Sequence, residues 1–182
     1  MLIRVADLRL QKLEFKQDFQ PGAIEFLLDL RQVSPLHAEG RAEVIVEHRG
    51  HKQNVDDIRL VGKLDTNMQV GCARCLEPVR YAVNRAFDLL YRPLGADRQA
   101  EEVSITEADT EIGYYEGEGL LLEDVLREQV LLASPVKLVC REDCKGLCPQ
   151  CGANLNQETC NCRQLSDPRW AALSELRNKL ES

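Results

Sequence analysis

Six of the eight cysteines in this chain fall within the 23 residues 140–162. Inside that stretch, Cys148-Pro-Gln-Cys151-Gly has the composition of a metal knuckle. The proline fixes one backbone angle, and Gly152 lets the chain turn beneath an ion with its amides facing the sulfurs. Cys160 and Cys162 follow shortly after. Zinc takes four thiolates or imidazoles in a tetrahedron, usually as two close pairs from separate turns. Cys148, Cys151, Cys160 and Cys162 are therefore the expected Zn2+ ligands. Two more thiols, Cys140 and Cys144, leave alternatives open. They could replace the Cys160/Cys162 pair, extend the site to two metals, or pack beside it as reduced thiols. Four thiolates would also serve an iron–sulfur cluster.

The remaining pair forms Cys72-Ala-Arg-Cys75. A Cys-x-x-Cys is redox-active where it opens a helix after a strand, because the helix dipole lowers the thiol pKa. Here it lies between two strand-like runs, which disfavours that chemistry. The plainest expectation is a tight turn with two reduced thiols. The alternative is that Cys72 and Cys75 join Cys140 and Cys144 in a second four-thiolate site, giving two ions per chain. Clustered thiols in a reducing cytosol bind metal more readily than they form disulfides. A cytoplasmic address is expected, since Met1-Leu-Ile-Arg-Val-Ala-Asp has no basic segment followed by a long apolar block. Other chemistry is weakly signalled. His48 and His51 read as loop residues, His37 lies in a polar part of the chain, and no P-loop, Gly-x-Gly-x-x-Gly or Ser/His/Asp order occurs. The chain is not expected to be an enzyme.

The elements that must position these thiols are legible in part. In 60–70, Leu60, Gly62, Leu64, Thr66, Met68 and Val70 occupy alternate positions; after the turn, Val79, Tyr81, Val83, Phe87, Leu89 and Tyr91 do the same. Period two marks a half-buried strand, so a long antiparallel pair with the first two cysteines at its tip is expected. Residues 44–47 and 24–30 read as further strands. Short extended segments are expected at 103–105 and 112–115, within a Gly- and acid-rich crossover. Residues 120–133 then read as an amphipathic helix with Leu121, Leu122, Val125, Leu126, Val130 and Leu132 on its apolar face, ended by Pro135. Asp167 caps a short terminal helix with Pro168 at its first turn and Trp170, Leu173, Leu176 and Leu180 along one side. The fold class is α+β: an N-terminal antiparallel sheet with a long hairpin, one packing helix, and a small zinc-binding module with a short terminal helix. The expected division is 1–135 for the α+β domain and 136–182 for the Cys-rich module.

Hydrophobic residues make up 44% of the chain, ordinary for a globular protein, and no run of eighteen apolar residues suggests a membrane span. The net charge is −7, but residues 99–133 alone carry ten acids and one base. No basic groove stands out, which argues against strong nonspecific phosphate binding and against a DNA partner. Residues 59–92 carry a modest positive strip of Arg59, Lys63, Arg74, Arg80, Arg85 and Arg92.

Four features together resemble the YceD family of large ribosomal RNA subunit accumulation proteins. They are Cys-x-Arg-Cys-Leu at 72–76, Asp-Cys-Lys-Gly-Leu-Cys-Pro-x-Cys-Gly-x-x-Leu-Asn at 143–156, the Cys160-x-Cys162 pair, and Asp-Pro-Arg-Trp-Ala-Ala-Leu at 167–173. The resemblance implies a bacterial cytoplasmic factor needed for normal synthesis or processing of large-subunit (23S) ribosomal RNA. Some members lack the C-terminal cysteine cluster, which makes the knuckle a stabilising module and the tip carrying Cys72, Arg74 and Cys75 the first place to look for the shared activity. The expected partner is the ribosomal RNA precursor or a large-subunit assembly protein. In the alternative reading the chain is a zinc-stabilised adaptor, its acidic residues Glu101, Glu102, Glu107, Asp109 and Glu111 docking a basic ribosomal or processing protein.

Overall fold

A computed structural model describes residues 1–26, 29–48, 54–96 and 112–162. The chain divides into two compact units, Met1–Gly71 with Pro78–Leu138, and Cys72–Glu77 with Val139–Ser182.

The first unit is built on β2 (Leu13–Phe19), β3 (Arg31–Gln32), β4 (Leu36–His48), β5 (Asn54–Gly71), β6 (Pro78–Pro93) and β7 (Ile112–Tyr115). The main sheet runs β2-β4-β5-β6-β7, with β3 pairing to β5. The expected hairpin is present: β5 and β6 pair antiparallel from Ile58↔Tyr91 to Gly71↔Pro78, and the intervening residues 72–77 belong to the second unit. Alternation does what the pattern implied. Leu60, Leu64, Thr66 and Met68 are buried on β5, and Val83, Phe87 and Tyr91 on β6. A second, two-stranded sheet pairs β1 (Leu2–Arg4) with β8 (Gly119–Leu121).

Among the described residues two helices complete the unit, the one-turn α1 (Val5–Leu8) and α2 (Leu122–Ala133). Glu123 and Asp124 in the first turn of α2 suit its positive end. The helix stops at Ser134, whose ψ of 133° is the extended conformation that a following proline imposes. Leu122, Val125, Leu126 and Val130 line its buried face and join Ile3, Leu36, Ile58, Leu60 and Met68 in one core.

Several expectations need correction. Residues 24–26, 29 and 30 are not in a strand. A turn in which the Ala23 amide donates to the Gln20 carbonyl precedes them, and Ile24 is buried as irregular chain. A continuous apolar run has no period with which to distinguish the two. Residues 112–115 do form a strand, but β7 pairs parallel to β6, so the sheet is mixed. Parallel pairing requires a long connection, and Pro93 and Ile112 are far enough apart in sequence for one. Leu121 and Leu132 are exposed, the former because it belongs to β8. His48 ends β4 instead of lying in a loop. The expected segment at 103–105, the terminal helix from Asp167, the acidic residues 101–111 and His51 lie outside the described residues. Among the described residues no helix is long and apolar enough to cross a membrane.

Candidate metal centres

The second unit contains the same backbone turn twice. In Cys72-Ala-Arg-Cys75-Leu76, the Cys72 amide donates to the Glu77 carbonyl at 2.8 Å and the Leu76 amide to the Cys72 carbonyl at 3.0 Å. In Cys148-Pro-Gln-Cys151-Gly152, the Cys148 amide donates to the Ala153 carbonyl at 2.8 Å and the Gly152 amide to the Cys148 carbonyl at 2.9 Å. The residue after the second cysteine is left-handed in both turns, with φ of 63° at Leu76 and 74° at Gly152. Glycine at 152 accepts this freely. At 76 a leucine does the same work, and that hides the second knuckle from a reader of the sequence.

Each turn meets a second pair of thiols. The sulfurs of Cys72, Cys75, Cys140 and Cys144 all lie within 4.8 Å of one another, and those of Cys148, Cys151, Cys160 and Cys162 do the same. Both groups could hold a metal ion. All four residues expected as zinc ligands are therefore brought together, and so are the four cysteines for which several readings were open. Cys72, Cys75, Cys144 and Cys148 are buried. Among the described residues of this unit, no other side chain is buried.

Backbone amides set the charge on the leading thiol of each knuckle. Burial pushes the Cys72 thiol up, but the amides of Cys75, Arg74 and Cys140 outweigh it and bring the thiol down to about 6. The amides of Cys151 and Gln150 bring Cys148 down to about 6 as well. Burial and neighbouring thiols push Cys140 up to about 12. Hydrogen bonding with Cys151, together with burial, pushes Cys162 up to about 12. Each group thus readily holds some negative charge and resists the rest, chiefly through burial and hydrogen bonding among its thiols. A cation among the sulfurs removes that resistance, which is why thiolate sites bind metal with release of protons.

Two residues outside the thiols organise the first group. The Arg74 guanidinium donates to the carbonyls of Glu142 at 3.1 Å and Cys144 at 2.8 Å, while the Arg74 carbonyl accepts from the Leu147 amide at 3.1 Å. The Asn156 side-chain amide donates to the Cys144 sulfur at 3.3 Å, and its oxygen accepts from the Lys145 amide at 2.8 Å and from Arg141 at 2.9 Å. Sequence reasoning placed Arg74 in the basic strip and at the tip singled out for the shared activity, and gave Asn156 no role beyond its place in the motif at 143–156. Their signal was present only as fixed offsets from the cysteines.

The positive strip is largely matched within the protein. Arg59 pairs with Asp88 at 2.6 Å and Lys63 with Glu39 at 2.8 Å. Arg92 is only 4% exposed and donates to buried Asp57. Arg80 donates to Gln69.

The chain is 43% identical over 105 residues to an uncharacterized protein of Mycobacterium tuberculosis, a match covering 58% of this chain and 48% of that protein. It is 27% identical over 166 residues to an uncharacterized protein of Mycobacterium leprae, covering 86% of this chain and 72% of that one. It is also 27% identical over 146 residues to an Arabidopsis thaliana protein named large ribosomal RNA subunit accumulation protein YCED homolog 1, chloroplastic, covering 68% of this chain and 46% of that protein. The chain spans about half the length of the M. tuberculosis and Arabidopsis relatives. No solved structure matches it. The family model described as large ribosomal RNA subunit accumulation protein YceD matches residues 60–177, from β5 through both groups of thiols, and this chain belongs to the YceD family.

Proposed function

We propose that this chain is a non-enzymatic factor of ribosome biogenesis that acts in the cytoplasm. It promotes synthesis, processing or accumulation of large-subunit (23S) ribosomal RNA, through contact with the RNA precursor or a large-subunit assembly protein. The observation that carries this reading is membership of a family described by large-subunit ribosomal RNA accumulation, a description shared by the name of the Arabidopsis relative. Zn2+ held by Cys148, Cys151, Cys160 and Cys162 gives the second unit its order. An all-sulfur donor set with mutually close thiols suits that ion. When bound, the metal supplies folding free energy, not chemistry on a substrate.

The test is a strain lacking the gene. Its ratio of 23S to 16S ribosomal RNA should fall and be restored by the wild-type gene. An unchanged ratio under all growth conditions would overturn the proposal.

A second reading, a protein adaptor, draws support from charge. Residues 99–133 carry nine more acids than bases, whereas several bases of 59–92 already have partners within the protein. Crosslinking from cells separates the two. Direct RNA contact predicts RNA as the dominant adduct and steep salt dependence. The adaptor predicts a basic protein whose recovery is lost on neutralising Glu101, Glu102, Glu107, Asp109 and Glu111.

A further inference from the structure

We propose that Cys72, Cys75, Cys140 and Cys144 form a second, mononuclear tetrathiolate zinc centre, so that each chain carries two zinc ions. The sulfur spacings fit one tetrahedron. The Cys72 and Cys144 sulfurs are 3.9 Å apart, and those of Cys75 and Cys140 are 3.6 Å apart. These are opposite edges, sharing no sulfur. Bonds of about 2.3 Å to a central zinc give tetrahedral edges of about 3.8 Å. The four other edges are no longer than 4.8 Å.

Competing uses of four thiols fit less well. A disulfide needs its sulfurs at about 2.05 Å. An iron–sulfur cluster distributes its thiolates over several irons, which spreads the sulfurs farther than this group allows. The backbone also argues for an ion at this place. The turn at Cys72 reproduces the hydrogen bonds and the left-handed residue of the Cys-Pro-x-Cys-Gly knuckle at Cys148. Donors converge on the sulfurs: the amides of Arg74 and Cys140 reach Cys72 at 3.4 and 3.3 Å, and Asn156 reaches Cys144. Amides aimed at sulfur serve a thiolate better than a thiol.

The two centres differ in reach. The Cys148 centre draws all its ligands from residues 148–162. The proposed centre joins a turn at 72–75 to residues 140–144, and the Arg74 guanidinium fixes the two halves relative to each other by holding the Glu142 and Cys144 carbonyls. Arg74 is therefore a positioning residue for this site. Both bonds leave from one terminal nitrogen of the planar guanidinium, Nη1, and a lysine there would keep the charge but lose the fixed directions of its two N–H groups.

Elemental analysis and native mass spectrometry of the purified full chain should find two zinc ions. One zinc per chain, or iron in its place, overturns the proposal. The double variant Cys72→Ser/Cys75→Ser should retain one ion, as should Cys160→Ser/Cys162→Ser; two ions in the former would overturn the assignment. Should the serine variants fail to fold, cobalt titration of the metal-stripped wild type decides. The tetrahedral thiolate absorption should grow to two equivalents, and saturation at one overturns the proposal. In Arg74→Lys, one of the two zinc ions should pass to a chelator about tenfold faster with the other unchanged, and equal rates for both would remove Arg74 from the site. None of these readouts depends on ribosomal RNA, so their failure is separable from failure of the proposed function.

Discussion

Leu76 sits at φ 63° with its side chain 69% exposed, so no burial offsets the left-handed backbone. Such a conformation costs an L-residue about 1–2 kcal/mol, and glycine little. Leu76→Gly should therefore stabilise the zinc-loaded protein by about 0.5–1 kcal/mol, after allowing for the greater entropy of glycine in the unfolded chain. The reciprocal change, Gly152→Ala, should destabilise by about 1 kcal/mol. A methyl group there meets open space, so the loss is conformational alone. Urea unfolding of both variants measures the pair, and effects of the same sign would contradict the equivalence of the two knuckles. Charge at single residues makes a second case. Arg92 donates to Asp57, and both are nearly inaccessible. Arg92→Ala takes the guanidinium away from a buried carboxylate and should cost about 3–5 kcal/mol. Arg85→Glu, at an exposed position, should change stability by less than about 0.5 kcal/mol. Denaturation curves for the two should differ accordingly. RNA-binding tests that reverse charge are therefore informative at Arg85 and not at Arg92, or at Arg74, where the guanidinium holds the carbonyls of Glu142 and Cys144.

At the scale of elements, the long hairpin was legible because its period of two persists on both sides of the turn and places Gly62 on the inward face. The structure gives that glycine its reason. Gly62 pairs with Phe87, and opposite it on β4 lies Gly40. A Cβ on Gly62 would stand 2.7 Å from the Glu39 carbonyl oxygen and 2.9 Å from the Phe87 ring. Gly62→Ala must push β4 from β5 or dislodge the ring, at a cost of about 1–3 kcal/mol. Thermal unfolding should show a lower midpoint for Gly62→Ala than for the wild type. Shorter elements escaped the sequence. Leu2–Arg4, Arg31–Gln32 and Gly119–Leu121 span too few residues to show a period, and they exist because partners such as Leu121 for Leu2 lie alongside. The direction of β7 escaped as well, since alternation is blind to whether a neighbour runs parallel. The same limit applies to the metal sites. The knuckle at Cys148 announced itself through proline and glycine, whereas the turn at Cys72 has neither, and its partners lie more than sixty residues away.

For the whole molecule, the two units differ in what holds them together. Among the described residues, every member of the hydrophobic core, from Ile3 to Val130, lies in the first unit. In the described part of the second unit the buried side chains all belong to cysteines. Described residues that bury no side chain but cysteine supply little apolar burial against the entropy of ordering that stretch, roughly 1–2 kcal/mol per residue. On the proposed zinc reading, metal–thiolate bonds supply free energy of sufficient size, about 10–16 kcal/mol for a structural zinc in small domains. Chelation should therefore divide the molecule. Hydrogen exchange on the metal-stripped chain should show protection lost at the amides of Cys72, Leu76, Leu147, Cys148, Gly152 and Leu155, which now donate to carbonyls within the second unit. Strands β4, β5 and β6 and helix α2 should keep theirs. Loss of protection throughout the sheet would mean that the first unit depends on the metals too. Persistence of protection at those six amides would mean that hydrogen bonding suffices without metal. Restoring zinc should bring protection back, and with only the Cys148 centre intact, in Cys72→Ser/Cys75→Ser, recovery should reach Cys148 and Gly152 while Cys72 and Leu76 stay exchanging.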